Sequence, residues 1–318
     1  PRSTLFPYTT LFRSEKNHKY FVLMGILNDL KHTYRRGSNL NKLIYINIAV
    51  FIIIAVVSIV SFLIDNTTLT AKTIDLISVP ASLGKLLLRP WTVITYMFIH
   101  KDIWHILFNM LWLYWFGKIF LEYLDQRKLV AVYLLGGLSG ALVYVISFNI
   151  FPAFREIVNE SVAIGASASV IAIVIAIAAY VPNYTIHLLF IGRIKIIYVA
   201  LVIFILTSAV DFSVNSGGKL AHIGGALFGY LYTINLKKGR DAGRGINKII
   251  DFFATLFKPA KKMKVTYKKP KTDYDYNKIK ADRQERINMI LDKISKGGYD
   301  SLTKEEKETL FSESQKKN

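Results

Sequence analysis

Six apolar stretches almost free of charge constrain this chain more than anything else it contains. They cover residues 43–64, 103–120, 129–151, 162–181, 196–210 and 220–236. A helix needs about 20 apolar residues to cross the hydrocarbon of a bilayer, somewhat fewer when flanking cations reach the interface. The fifth stretch is the shortest, and Arg193 and Lys195 before it have stems long enough for that reach. Pro182 ends the fourth. The pattern predicts an all-α fold, a polytopic membrane bundle of six transmembrane helices. At 52% apolar residues most of the chain is too greasy for disorder. The absence of cysteine excludes a disulfide framework, a thiolate metal site and a cysteine nucleophile.

Net charge is +19, but it is unevenly spread. From Lys237 onward there are 22 basic and 12 acidic residues, so about half the excess lies in the last quarter. That distribution points to a basic tail beside a lipid bilayer, and no nucleic-acid partner is expected. Basic residues mark the cytoplasmic side of a span. Lys31, Arg35, Arg36 and Lys42 precede the first stretch, and Lys118, Arg127 and Lys128 fall between the second and third. Arg193 and Lys195 precede the fifth, and Lys237, Lys238, Arg240 and Arg244 follow the sixth. Both termini are therefore expected inside, with spans two, four and six running from outside to inside.

The organisation follows. Residues 1–14 begin at Pro1 and lack periodicity; the string PYTTLFRS in them is similar to translated adapter sequence, and they are set apart as a non-native leader. Residues 15–42 are a cytoplasmic N-terminal segment and 43–236 the membrane domain. The long connection between the first two spans has apolar patches (Leu86 to Leu88, Trp91, Phe98) suited to the outer interface. Residues 237–271 hold an interfacial amphipathic helix, with Ile246, Ile249, Ile250 and Phe253 on its stripe. A linker with seven lysines and no acid follows. Residues 272–318 are a small helical cytoplasmic tail. Its first helix runs over about 277–296 with Gly297 as cap, and its second opens on a Thr303 and Glu306 capping box.

Polar residues inside spans are costly, and function is the usual reason for them. Span two carries His105 and Asn109, four apart and so on one face. Span four carries Ser167 in Gly165-Ala166-Ser167-Ala168-Ser169, and span six carries His222 followed by Gly224, Gly225 and Gly229. Measured from the flanking charges Asp102, Glu160 and Lys219, the three sites lie within about 5–11 Å of the outer boundary at ~1.5 Å per residue. Three helices thus bring hydroxyl, imidazole and amide groups to one level.

Acyl transfer is the chemistry that this set allows. A serine hydroxyl needs a base to take its proton, and a neutral imidazole at His222 supplies one. An oxyanion needs preorganised donors, for which Asn109, His105 and the Ser167 amide are placed. Gly165, Gly225 and Gly229 let helices four and six approach closely. No carboxylate lies in these three spans, so a dyad is expected, with no metal and no cofactor. Taken singly each element has a plainer reading: small residues pack helices, a lone histidine bonds a neighbouring helix, and Trp112, Tyr114 and Trp115 form an aromatic belt. The conjunction at matched depth raises the functional reading above these.

These residues resemble the rhomboid family of intramembrane serine proteases. The segment from His100 to Asn109 looks like the family's second-helix signature with two histidines and an asparagine. Gly165-Ala166-Ser167 resembles its fourth-helix Gly-x-Ser, and Ala221-His222-Ile223-Gly224-Gly225 its sixth-helix histidine motif. The resemblance covers about residues 42–236. It implies Ser167 as nucleophile, His222 as general base, and His105, Asn109 and the Ser167 amide as the oxyanion hole. It also implies cleavage of transmembrane helices of other membrane proteins near the outer face, in a bacterial cytoplasmic membrane. In such proteins the fifth span and the loop before the sixth, here about residues 211–219, gate substrate access. Two positions differ: where the family often has glycine after the serine and tyrosine four residues on, Ala168 and Ile171 stand here. A catalytically silent relative that binds membrane clients is the alternative, against which both reacting residues count. A small transporter fits less well, since no acid lies within the spans.

Overall fold

The structure is a computed structural model that describes residues 37–188, 192–210, 213, 215–256 and 272–314. The leader at 1–14, residues 15–36, the lysine-rich linker at 258–271 and positions 211, 212 and 214 of the loop before the sixth span lie outside the described residues. The chain forms two compact units, residues 1–257 and 258–318.

Among the described residues the first unit is helical and built on six principal helices. They are α1 (Asn39–Leu63), α5 (Ile103–Tyr123), α6 (Gln126–Ile150), α7 (Ser167–Tyr180), α8 (Ile196–Ser208) and α9 (Ser216–Lys237). Between the first two of these the chain lays down α2 (Thr67–Ile77), strand β1 (Val79–Pro80), α3 (Leu83–Leu88), α4 (Thr92–Thr95) and a 3₁₀ turn at Tyr96–Phe98. Strand β2 (Val162–Ala163) leads into α7, a hairpin of β3 (Thr185–Leu188) and β4 (Gly192–Lys195) joins α7 to α8, and α10 (Arg244–Leu256) follows α9.

Two of the described helices, α1 and α6, are long and apolar enough to cross a membrane on length and composition alone. The others are shorter or diluted by polar residues. α7 has 14 residues, which span about 21 Å, and α9 carries Gly, His and Lys among its apolar positions. What marks the whole unit as a membrane bundle is its outer surface. Ile53 is 61% exposed, Phe62 82% and Leu87 81%, within an extensive band of exposed apolar side chains. Soluble monomers rarely show apolar patches of more than a few hundred Å².

α7 lies at the centre. Ala168, Val170, Ala172, Ile173, Val174, Ala176, Ile177 and Ala178 are all buried, and α5, α6, α8 and α9 pack around it. Small residues bring the backbones together. A Cβ added to Gly225 would lie 2.2 Å from the Ala168 carbonyl oxygen, and one on Gly229 2.3 Å from that of Ala172. Such contacts replace the hydrophobic driving force that helices lack in lipid. Polar ties join the same helices: Thr233 Oγ1 donates to the Ala176 carbonyl at 2.9 Å, and Ser139 Oγ to the Gly224 carbonyl at 2.9 Å. α1 closes the far side, where Asn47 is fully buried and its Nδ2 donates to Tyr133 Oη at 3.1 Å.

The fourth apolar stretch does not begin as a helix. Residues 162–163 form β2, which pairs antiparallel with β1 (Val79 opposite Ala163, Pro80 opposite Val162), and the helix starts only at Ser167. Gly165 is the reason. Its φ of +127° is incompatible with a right-handed helix, and its N–H donates to the Tyr96 carbonyl at 2.9 Å. Helical spacing therefore does not hold between Glu160 and Ser167, and the depth of the serine is set by a strand and a turn. Backbone that is not helical is tolerated at membrane depth where it lines a cavity.

The second unit contains α11 (Asp273–Gly297), a 3₁₀ turn at Tyr299–Ser301 and α12 (Lys304–Ser314). Its capping box forms as the sequence predicts: Thr303 Oγ1 accepts from the Glu306 N–H at 3.3 Å, and Glu306 Oε2 accepts from the Thr303 N–H at 2.7 Å. The Lys293 ammonium and the Thr303 amide hold the Glu306 carboxyl below its ordinary value. The first helix runs one residue further than expected. Gly297 is its last residue, and Gly298, at φ 72°, makes the left-handed stop.

Candidate active site

The polar residues singled out in the spans are delivered by three helices, α5, α7 and α9. Asp102 caps α5, its Oδ1 accepting from the His105 N–H at 2.8 Å, which fixes the first turn of the helix and so the place of His105. Asn109 follows one turn later, buried, with Nδ2 donating to the His105 carbonyl at 2.8 Å. That bond uses one of its two amide hydrogens and leaves the other for a ligand. Ser167 is the first residue of α7, half-buried, with its N–H among those to which a helix offers no internal acceptor. His222 lies half-buried in the second turn of α9.

These four residues line one cavity of about 390 Å³, together with Trp104, Phe108, Val170, Ile171, Ile203 and Thr207. Most of the wall is apolar, with Ser167, His222, His105 and Asn109 as its main polar groups. Asp102 stands at the same cavity, but its carboxylate is engaged as the α5 cap.

Hydrogen-bond partners assign the imidazoles. A carbonyl can only accept, so the 3.0 Å contact between His222 Nδ1 and the Thr207 carbonyl places the proton on Nδ1 and leaves Nε2 with a free lone pair. His105 is the reverse. Its Nδ1 accepts from the Lys101 N–H at 3.4 Å, so Nε2 carries the proton. That Nε2 would lie 3.0 Å from a Cβ on Gly165, whose missing side chain lets the ring sit against the turn before Ser167; the same Cβ would be 3.5 Å from Ser167 Oγ. One histidine thus presents an acceptor to the cavity and the other a donor beside the serine. No hydrogen bond joins Ser167 and His222 directly among the described residues; bonds of this kind commonly tighten only around a bound substrate.

Gly224, Gly225 and Gly229 lie at close helix contacts, whereas Gly165, expected to bring helices four and six together, lies in the turn before α7 against the His105 ring. A Cβ on Gly224 would strike the Ser139 carbonyl at 2.5 Å. Ser169 is fully buried, with Oγ beside Gly137 on the face turned from the cavity, as two residues along a helix requires. His100 departs from expectation. Instead of lying at the interface it is 3% exposed and meets the His105 ring edge-on, centroids 5.1 Å apart. Burial, then the neighbouring His105, push its imidazole down to about 4, so it stays neutral near pH 7. Sequence reading missed the Thr207 carbonyl altogether, since every residue carries one and no side chain announces it.

The rhomboid domain family matches residues 88–238, which include the serine, the asparagine and the three histidines of the signatures. By that match residues 88–238 are a rhomboid domain. A second match, to a family of unknown function (DUF6576), covers residues 271–316. "RHOMBOID-like protein 12, mitochondrial" of Arabidopsis thaliana is 30% identical over 164 residues, 48% of this chain and 48% of that protein. The rhomboid described here therefore spans about half the length of that curated relative. Membrane residence accords with the family and with the apolar surface.

Proposed function

We propose that this rhomboid is an intramembrane serine endopeptidase that cuts transmembrane segments of other membrane proteins with a Ser167–His222 dyad. The observation that carries the reading is the convergence of Ser167, His222, His105 and Asn109 on one cavity. His222 Nε2 takes the Ser167 hydroxyl proton as Oγ attacks the scissile carbonyl. The oxyanion is received by His105 Nε2–H, the free Asn109 amide hydrogen and the Ser167 N–H, at the positive end of α7. His222 then hands its proton to the leaving amine, and water hydrolyses the acyl-enzyme by the reverse route. These steps call for no cofactor or metal.

The apolar outer surface and the charge distribution support a multi-pass membrane protein with both termini in the cytoplasm, and the cysteine-free composition rich in Ile, Lys and Asn favours a bacterial cytoplasmic membrane. The cavity then lies toward the outer face. Extended peptide must reach Ser167, because helical peptide bonds are shielded; substrates with helix-destabilising residues near their outer ends suit this demand.

A serine-reactive fluorophosphonate probe is expected to label Ser167 in the membrane-reconstituted chain. No labelling of Ser167 favours the second reading, a catalytically silent protein that binds membrane clients. Asn109→Ala is expected to lower cleavage of a tagged single-span substrate by about 10²-fold, as removal of one oxyanion donor does. An unchanged rate removes Asn109 from the oxyanion hole.

A further inference from the structure

We infer that the main-chain carbonyl of Thr207 positions His222 as the base, so that the C-terminal end of α8 does what a carboxylate does in a three-membered site. The inference rests on the protease reading above and extends it to a group on a third helix.

Three observations converge on this carbonyl. It lies 3.0 Å from His222 Nδ1, the nitrogen that must be protonated if Nε2 is to accept a proton from serine. It belongs to the last turn of α8, which ends at Ser208, and carbonyls of a last turn as a class lack intrahelical donors. Thr207 also lines the active-site cavity, where Val170, Ile171 and Ile203 keep the surroundings apolar and dipoles weakly screened. The Thr207 side chain is not the partner, because its Oγ1 donates back to the Ile203 carbonyl at 2.8 Å.

The electrostatics favour the reacting state. Carbonyls at a helix C-terminus carry the negative end of the macrodipole, and a cation there is stabilised. When His222 takes the serine proton it becomes that cation, with its Nδ1–H already aimed at Thr207. Asp102, the carboxylate at the same cavity, is engaged as the α5 cap and is not a competing partner for Nδ1. A second tie holds the same pair of elements together: Lys219 Nζ donates to the Val210 carbonyl just beyond α8. The base is therefore oriented only while the end of α8 rests against α9. Any displacement of α8 would release the imidazole, and its return would restore the base.

The test replaces Ser208 in the full chain by its α-hydroxy analogue, which turns the Thr207 carbonyl into an ester carbonyl, a weaker acceptor. An ester between Leu201 and Val202, both exposed on α8, controls for loss of one helical bond. ¹⁵N chemical shifts of His222 in bilayers read the tautomer, and cleavage of a tagged single-span substrate reads kcat and KM. The unmodified chain is expected to hold its proton on Nδ1. The Thr207 ester is expected to populate both tautomers and to lower kcat about tenfold, with KM and the control ester unchanged. A chain that cleaves while His222 carries its proton on Nε2 overturns the inference, as does an ester that leaves tautomer and kcat like the control. An unmodified chain that neither cleaves nor labels overturns the protease reading, and the assignment of the base with it.

Discussion

Ser167→Ala and His222→Ala are each expected to abolish cleavage of a tagged single-span substrate in liposomes, a loss of about 10⁴-fold or more. The two should cost nearly the same, because nucleophile and base act as a unit and either alone is idle. Both side chains are half-buried at a cavity, but only His222 ties two helices, through its bond to the Thr207 carbonyl. Expression and thermal unfolding in detergent should accordingly match the unmodified chain for Ser167→Ala, with a modest loss of stability allowed for His222→Ala. Combining the substitutions should add little to either one. If both single variants still cut, the dyad is wrong, and a second serine must be sought. Ser169 is a poor substitute, being fully buried on the opposite face of α7.

Gly225→Val is expected to have the largest effect on the fold itself. Its Cβ would meet the Ala168 carbonyl oxygen at 2.2 Å and the carbonyl carbon at 2.9 Å, both backbone atoms that cannot swing aside. The substitution must push α9 from α7, and overpacking of this kind costs about 1–3 kcal/mol before the polar ties are counted. The Thr233 bond to Ala176 and the Ser139 bond to Gly224 would be strained together. Ser167 and His222 sit on the two helices being separated, so cleavage should disappear along with stability. Gly84→Ala is the matching control: nothing lies within 4 Å of its added Cβ, and stability should stay within about 0.5 kcal/mol. Thermal unfolding of the two variants in one detergent decides between them. A Gly225→Val chain as stable as the Gly84→Ala chain would mean that the helices are not held at this distance.

Several features were legible in the sequence because each depends on what a residue is. The apolar stretches, the basic flanks and the in-span polar residues follow from hydrophobicity and charge, and they predict the helical bundle and nominate its reacting groups. The tail's capping box was readable for a similar reason, since Thr303 and Glu306 satisfy each other's backbone locally. Gly225 and Gly229 announced a close approach, because only the missing side chain permits one.

Other features depend on where a residue is placed, and these the tertiary structure decided. The fourth stretch reads as one apolar run from 162 to 181, yet β2 pairs with a distant β1 and Gly165 turns before the helix begins, so Ser167 becomes a helix N-terminus with a free amide. His100 reads as a cheap interfacial histidine, yet it is buried with its ring against that of His105. The tautomer of His222 is set by the Thr207 carbonyl, a group that all residues share. Side-chain chemistry is written residue by residue, and so the sequence alone determined which groups are available. Backbone amides and carbonyls are uniform along the chain, and only the packing of α7, α8 and α9 decided which of them face the reacting atoms.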